Sequence, residues 1–313
     1  MTGRLRLGYL SLVMSALLFG GATPLAVYAL RGLTAFDLLA VEIGSATVVL
    51  WLALAIAGQR TTRRWYTYAL LGLLEPALSY VLYNLGLSQT SAIHGALLES
   101  LDGLFVVMLG ALLLGERLRA AIVVSLVLGL MGAALVAVSQ GADGPDRASR
   151  AGDGLVVLGI LAAAFYSIAI RRFGGREPAL TITAYQFLAA SVVVAPVVVA
   201  SWLVRGSGLP SATTAQLGAA LGSGILGTAG AYLLFNIGIA RIPAGRAALV
   251  FNLVPVFGTV AAVIGLGERL RTVEVMGGCL IVLSLFALTF AGEAEDQDPP
   301  VLVRWIARVR GRG

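Results

Sequence analysis

Along this chain polar residues gather in short clusters, and between the clusters apolar residues run on for roughly 20 positions, the length that crosses a bilayer as a helix. Such runs lie at about 7–30, 34–57, 65–87, 91–114, 119–140, 154–172, 179–204, 215–238, 243–266 and 272–291. They predict an all-α integral membrane protein with ten transmembrane helices. The connections are short except for a polar linker, Gln140 to Asp153, that divides the chain near its middle. The tail after Gly292 is acidic first and basic later. The first run follows two arginines, is much longer than a signal-peptide core and shows no cleavage site, so it is expected to be the first span.

The pattern repeats. Tyr80 to Arg119 aligns without a gap on Tyr232 to Arg271 at a constant offset of 152, with fifteen of forty positions identical. The matches include Tyr80 with Tyr232, Asn84 with Asn236, and the block Leu114 to Arg119 with Leu266 to Arg271. Gly8 and Phe19 also match Gly154 and Phe165. Residues 1–140 are therefore expected to form one five-helix repeat, 141–153 the linker, 154–291 a second repeat, and 292–313 a cytoplasmic tail. Because five is odd, the second copy enters the membrane from the opposite side. Inverted repeats are the architecture of alternating-access carriers, with the binding site between the two halves near the midplane.

Composition narrows the function. The chain is 58% hydrophobic and 12% charged, with a mean hydropathy of +0.92, far above what a soluble core of 313 residues needs. All 22 basic residues are arginine, which excludes lysine-dependent chemistry such as a Schiff base or a phosphate-loop lysine. With the N-terminus in the cytoplasm, 16 of the 22 arginines fall on the inner side, so both termini are expected to be cytoplasmic in a bacterial inner membrane. The basic pI of about 9.9 then records topology and not nucleic-acid binding. The single cysteine, Cys279, rules out a disulfide framework, and no ligand spacing suggests a metal or cofactor.

Gly115-Glu116-Arg117-Leu118 and Gly267-Glu268-Arg269-Leu270 close the fourth helix of each unit. With Phe19-Gly20, Ala164 to Ser167 and Asn252 to Pro255, these blocks resemble the drug/metabolite transporter superfamily, specifically its ten-helix EamA-type members, over roughly residues 8 to 291. Asp102-Gly103 and Glu42 depart from the family's pattern. The resemblance implies a secondary transporter that exports a small metabolite, its relatives carrying amino acids, nucleosides or drugs. Read by themselves, the glycine-glutamate blocks are turn structure. The glycine ends one helix and the glutamate suits the dipole of the next.

A charged side chain at a helix centre costs about 2.5–3.5 kcal/mol on insertion scales, so a buried acid calls for a reason. Glu75 is expected roughly 15 Å deep along helix 3, followed by Pro76, which breaks the backbone ladder. Asp102 reaches the same level, about 16 Å along helix 4, on one face with Glu99. Two carboxylates so close in low dielectric resist ionising together, as proton coupling requires. Glu75, Glu99 and Asp102 are thus the candidates for proton coupling or substrate charge, while Glu42 lies on a helix expected to be peripheral. Phe19, Thr23, Tyr80, Tyr83, Tyr166, Tyr232 and Asn252 are the candidate substrate contacts, rings and polar groups placed inside spans. His94, the only histidine, and its repeat mate Arg246 are candidate gates near opposite helix ends, the simpler readings being interfacial hydrogen bonding and snorkelling. The glycines of helix 8 are spaced for close helix contact.

The sequence supports a secondary active transporter, an exporter of an amino acid or similar small metabolite, working by alternating access with proton coupling or exchange. Its partners are the substrate, the lipid bilayer and protons. A sugar-phosphate or nucleotide-sugar antiporter and a multidrug efflux carrier are the alternatives. Midplane carboxylates without a basic cluster argue against anionic cargo. No serine motif backed by histidine and no zinc spacing supports an intramembrane enzyme.

Overall fold

A computed structural model describes residues 3–59, 62–114, 120–138, 149–173, 177–239, 241, 250 and 253–296. Among these the chain is helical with no strand. We number the helices α1 (Gly3–Ala29), α2 (Ala35–Ile56), α3 (Trp65–Gly72, a π-helical turn Leu73–Leu78, then Ser79–Leu87), α4 (Ala92–Glu99 and Leu101–Leu114) and α5 (Ala120–Val138). The second half supplies α6 (Arg150–Phe173), α7 (Ala179–Arg205), α8 (Thr214–Gly222, a π-helical turn Ser223–Gly230, then Ala231–Ile239), α9 (Val254–Leu266) and α10 (Thr272–Asp296). Seven of these are long and apolar enough to cross a membrane, and α5, α9 and α10 contain shorter apolar stretches. Helix α6 begins at Arg150, inside the expected linker, because the Ser149 hydroxyl accepts from the Gly152 amide and its carbonyl from the Asp153 amide. Asp153 is therefore a helical residue.

Apolar side chains cover the outside: Leu52, Val127, Val192, Leu203 and Met276 all point away from the protein, as lipid-facing positions do. Inside, small residues let backbones approach. A β-carbon on Gly132 would come within 2.6 Å of the Gly277 carbonyl, and one on Gly277 within 2.7 Å of the Gly132 carbonyl, so α5 and α10 touch backbone to backbone. Gly20 lies equally close to α9 at Gly258 and Phe257. In α8, Gly224 abuts the α2 backbone at Glu42 and Gly227 abuts Ala22 of α1.

The helices pair in exchanged sets. Helix α1 packs on α8 and α9 as α6 packs on α3 and α4, while α2 packs on α7, α4 on α9 and α5 on α10. The two π-helical turns also correspond at the offset of 152. In α3 the break centres on Glu75, whose backbone is extended (φ −136°, ψ 115°), followed by Pro76. In α8 the π-helical turn runs continuously through Gly224, Gly227 and Gly230 without a proline. The π-helical turn thus belongs to the place in the fold, with two different sequence solutions, and the break belongs to α3.

Consecutive helices alternate in direction, so the bundle has a near end, where α1 starts, and a far end. At the far end Asp37 closes a capping box with Thr34 and accepts from Trp202 Nε1 (2.7 Å), Ser207 Oγ (2.6 Å) and the Gly208 amide (2.9 Å), tying α2 to the end of α7. At the near end Thr62 donates to Glu177 (2.7 Å) and Thr181 to Gln59 (2.8 Å).

Gly20 and Gly21 provide a paired test of this packing, since a β-carbon on Gly20 meets α9 whereas one on Gly21 meets nothing within 4 Å. Gly20→Ala should destabilise the protein by about 1–3 kcal/mol through overpacking. Gly21→Ala should be neutral or stabilising by a few tenths of a kcal/mol, about what removing a helical glycine offers. Thermal unfolding in detergent, monitored by circular dichroism, checks the pair.

Candidate functional site

Halfway through the bundle the α3 break and the middle of α4 face α1, α6 and α8. Glu75 is 8% exposed and accepts a hydrogen bond from Tyr232 of α8 at 3.0 Å on Oε1. Glu99 accepts on Oε2 from Thr23 of α1 (3.3 Å) and from Tyr83 (3.4 Å), and these two hydroxyls are 3.0 Å apart. Asp102 lies within electrostatic range of both Glu75 and Glu99. The three acids therefore lie near one another in the middle of the bundle, as the candidate lining of a binding chamber. Phe19 meets Tyr232 edge to face at 5.0 Å, and Phe187 of α7 meets Tyr232 (6.2 Å) and Tyr80 (6.4 Å) in the same manner. Tyr80 donates to Thr228 of α8 at 3.3 Å, and Tyr166 of α6 accepts from Gln186 at 3.0 Å. Of the candidate substrate contacts, Phe19, Thr23, Tyr80, Tyr83, Tyr166 and Tyr232 surround these acids.

Hydrogen bonding separates the acids into two kinds. Glu42 is 3% exposed, and both its oxygens are taken, Oε2 by Asn84 of α3 at 2.7 Å and Oε1 by Ser223 of α8. The expectation that this part of α2 is peripheral is wrong: Glu42 is an inner strut of three helices, admitted by Gly224. Glu75 Oε2 and Asp102 Oδ1 are buried and make no hydrogen bond among the described residues. The Ser79 hydroxyl, one turn on, stands near Glu75 but outside bonding geometry. These unanswered acceptors are what a ligand can use.

A second polar cluster lies at the far end. His94 is fully buried in the first turn of α4. Its Nδ1 lies 3.0 Å from Asp153 of α6 and its Nε2 3.2 Å from Glu274 of α10. As an imidazolium the ring donates to both. Thr90 also donates to Asp153, and Glu274 accepts from the Arg271 amide at 2.8 Å. Glu268 accepts from the amides of Ala92 (2.9 Å) and Ile93 (2.8 Å). His94 is thus a buried hydrogen-bonding residue at a helix end and joins three helices. Glu268 does sit at a helix dipole, yet the helix is α4, 176 positions away, and not the following α10. Gly267 ends α9 in the left-handed conformation (φ 70°), as expected of the glycine in that block. Arg246, Asn252, residues 115–118 and the tail beyond Asp296 lie outside the described residues.

The profile of the EamA-like transporter family matches residues 6–138 and again residues 150–290. This chain belongs to the EamA-like transporter family. It is 25% identical over 289 residues to an uncharacterized transporter, YyaM, of Bacillus subtilis (strain 168), covering 91% of this chain and 93% of that one. It is 26% identical over 273 residues to a probable terminal-alkyne amino-acid exporter of Streptantibioticus cattleyicolor, covering 86% and 89%. A crystal structure at 21% identity superposes with a TM-score of 0.63 over 95% of this chain and all of that one, which shows the fold alone.

In this EamA-like transporter the residues that sequence reasoning missed are Asp153, Glu274 and the strut at Glu42. Each stands in or beside an apolar helix, and Asp153 and Glu274 lie in first turns, where an acid reads as an ordinary dipole partner. The one signal available was the lone histidine one turn into an apolar helix. His94→Ala should cost about 3–5 kcal/mol, the penalty for leaving buried carboxylates uncompensated. Adding Asp153→Asn and Glu274→Gln should restore part of the loss, because it removes the orphaned charges. Unfolding temperatures of the single and triple variants check this, and equal losses in both would show that His94 acts by packing alone.

Proposed function

We propose that this EamA-like transporter is an exporter of an amino acid or similar small, partly apolar metabolite. It works by alternating access in a bacterial inner membrane, with both termini in the cytoplasm and with proton coupling or exchange. The observation that carries the reading is the central trio Glu75, Glu99 and Asp102: one buried acid and two partly buried ones, incompletely hydrogen bonded, beside a helix break and ringed by tyrosines. Acids held this way can exchange a proton for substrate, whereas a fully bonded acid such as Glu42 cannot without breaking the fold. Alternating access is supported by the five-helix repeat and the exchanged helix pairs, since two copies in opposite orientation offer two related conformations around one site. Export is supported by the Streptantibioticus relative, a probable terminal-alkyne amino-acid exporter. The arginine distribution supports the orientation.

In this reading the far-end joint of His94, Asp153 and Glu274 closes one side of the chamber, because α4, α6 and α10 cannot separate there while it holds.

Asp102→Asn and Glu99→Gln should each abolish proton-coupled flux in proteoliposomes while the purified proteins keep their elution profile and helicity. Normal transport by both variants across pH 5 to 8 would make the acids structural. Counterflow with a phosphorylated sugar should give no exchange. Exchange of that compound would favour the antiporter alternative.

A further inference from the structure

Between α1 and α9, in the half of the bundle towards the far end, lies an apolar groove of about 380 Å³. Gly21, Leu25 and Tyr28 line it on one side and Ala261, Gly265 and Leu266 on the other. At about 100° per residue, Gly21, Leu25 and Tyr28 fall on the face of α1 opposite Thr23, whose hydroxyl reaches Glu99. The groove therefore faces lipid and not the candidate site. Towards the near end the same stripe of α1 carries Leu10, Met14 and Leu17, all exposed. Bulk then falls away at Gly21 and, across the groove, at Gly265, where an added β-carbon would meet nothing within 4 Å. Leu25, Tyr28 and Leu266 pack on the buried core, so the fold itself holds the walls apart.

The repeat does not require this opening. At the offset of 152, Ala261 and Gly265 correspond to Leu109 and Leu113 of α4, side chains that would fill such a groove. Its length and its upper end indicate what fits. From Gly21 to Tyr28 the helix climbs about 10 Å. The exposed Arg31 then places its guanidinium over the Tyr28 ring, 5.5 Å from the ring centre. Together they span about one leaflet of the hydrocarbon core, roughly 15 Å. A tyrosine and an arginine closing a span stand at headgroup level. Walls of leucine, alanine and glycine suit an apolar chain, and the cation where they end suits a phosphate.

We propose that the groove between α1 and α9 is a binding site for one phospholipid of the far-end leaflet. An acyl chain lies between Gly21 and Gly265, and the phosphate rests on Arg31. The site stands on the opposite face of α1 from the acids and does not depend on what the protein carries.

Native mass spectrometry of the full-length protein in detergent tests this, with phosphatidylglycerol titrated against a diacylglycerol of the same chains. The wild type should retain one phosphatidylglycerol per chain, about fivefold or more tightly than the diacylglycerol, the worth of one arginine at a lipid surface. Gly21→Leu and Gly265→Leu, the second installing the residue found in α4, should each weaken retention by about tenfold or more. Arg31→Gln should weaken it by about fivefold. That variant leaves the groove open and its packing untouched, so it tests the site even where a leucine disturbs the helix. Unfolding temperatures in lipid-free detergent should match the wild type for Arg31→Gln and for at least one leucine variant. Several lipids held equally by wild type and variants are annular lipid only and overturn the proposal. Diacylglycerol held as tightly as phosphatidylglycerol, retention unmoved by Arg31→Gln, or no retained lipid at all overturns it as well.

Discussion

A carboxylate inside a bilayer persists only where the protein supplies what water would otherwise supply, and the arrangement of this molecule follows from how each buried acid meets that demand. Asp37, Glu42, Asp153, Glu268 and Glu274 are answered by amides, hydroxyls, an indole and an imidazole. Each lies where two or three helices meet, so satisfying the charge also fixes how those helices sit. Glu75, Glu99 and Asp102 are answered only in part. The same rule that makes the first group struts makes the second group the candidate site.

The three acids gather where the backbone of α3 opens. At Glu75 the helix leaves its ladder, while the matching turn of α8 stays helical over a run of glycines. Across the bundle the helices are drawn together by small residues, with Gly20 against α9, Gly132 against Gly277 and Gly224 against Glu42. In a membrane, where apolar surface gains nothing by turning inward, such close contact is what association has to rely on. Bulk is therefore spent on the lipid face and on the rings around the acids.

Helix α4 links the two polar centres. Its first turn is held by Glu268 on its amides and by His94 to α6 and α10, and one further turn along it presents Glu99 to the chamber. Any movement that parts α4 from α6 and α10 at the far end must break these bonds, so the far-end joint and the candidate site share one helix. An imidazole between two carboxylates suits such a joint, because its charge decides whether the three groups attract or repel.

How much of this was legible in the chain follows from the range of each interaction. Hydropathy is a local sum, so the number and approximate bounds of the helices could be read directly, and the cost of a charge in apolar surroundings singled out Glu75, Glu99 and Asp102 without coordinates. Helical spacing likewise put Glu99 beside Asp102. Pairing across helices has no such local signature. The partners of His94 lie 59 and 180 positions away, and the amides that Glu268 caps lie 176 and 175 away. Glu42 looked peripheral because nothing near it in sequence announces Asn84 or Ser223, and Asp153 looked like linker because its histidine comes from another helix. The sequence by itself determined that this chain crosses a membrane many times and keeps acids at its centre, since burial of charge is penalised wherever the chain goes. Only the tertiary structure decided which acids are answered and which are left open, because a hydrogen bond between helices depends on positions in space that sequence separation does not encode.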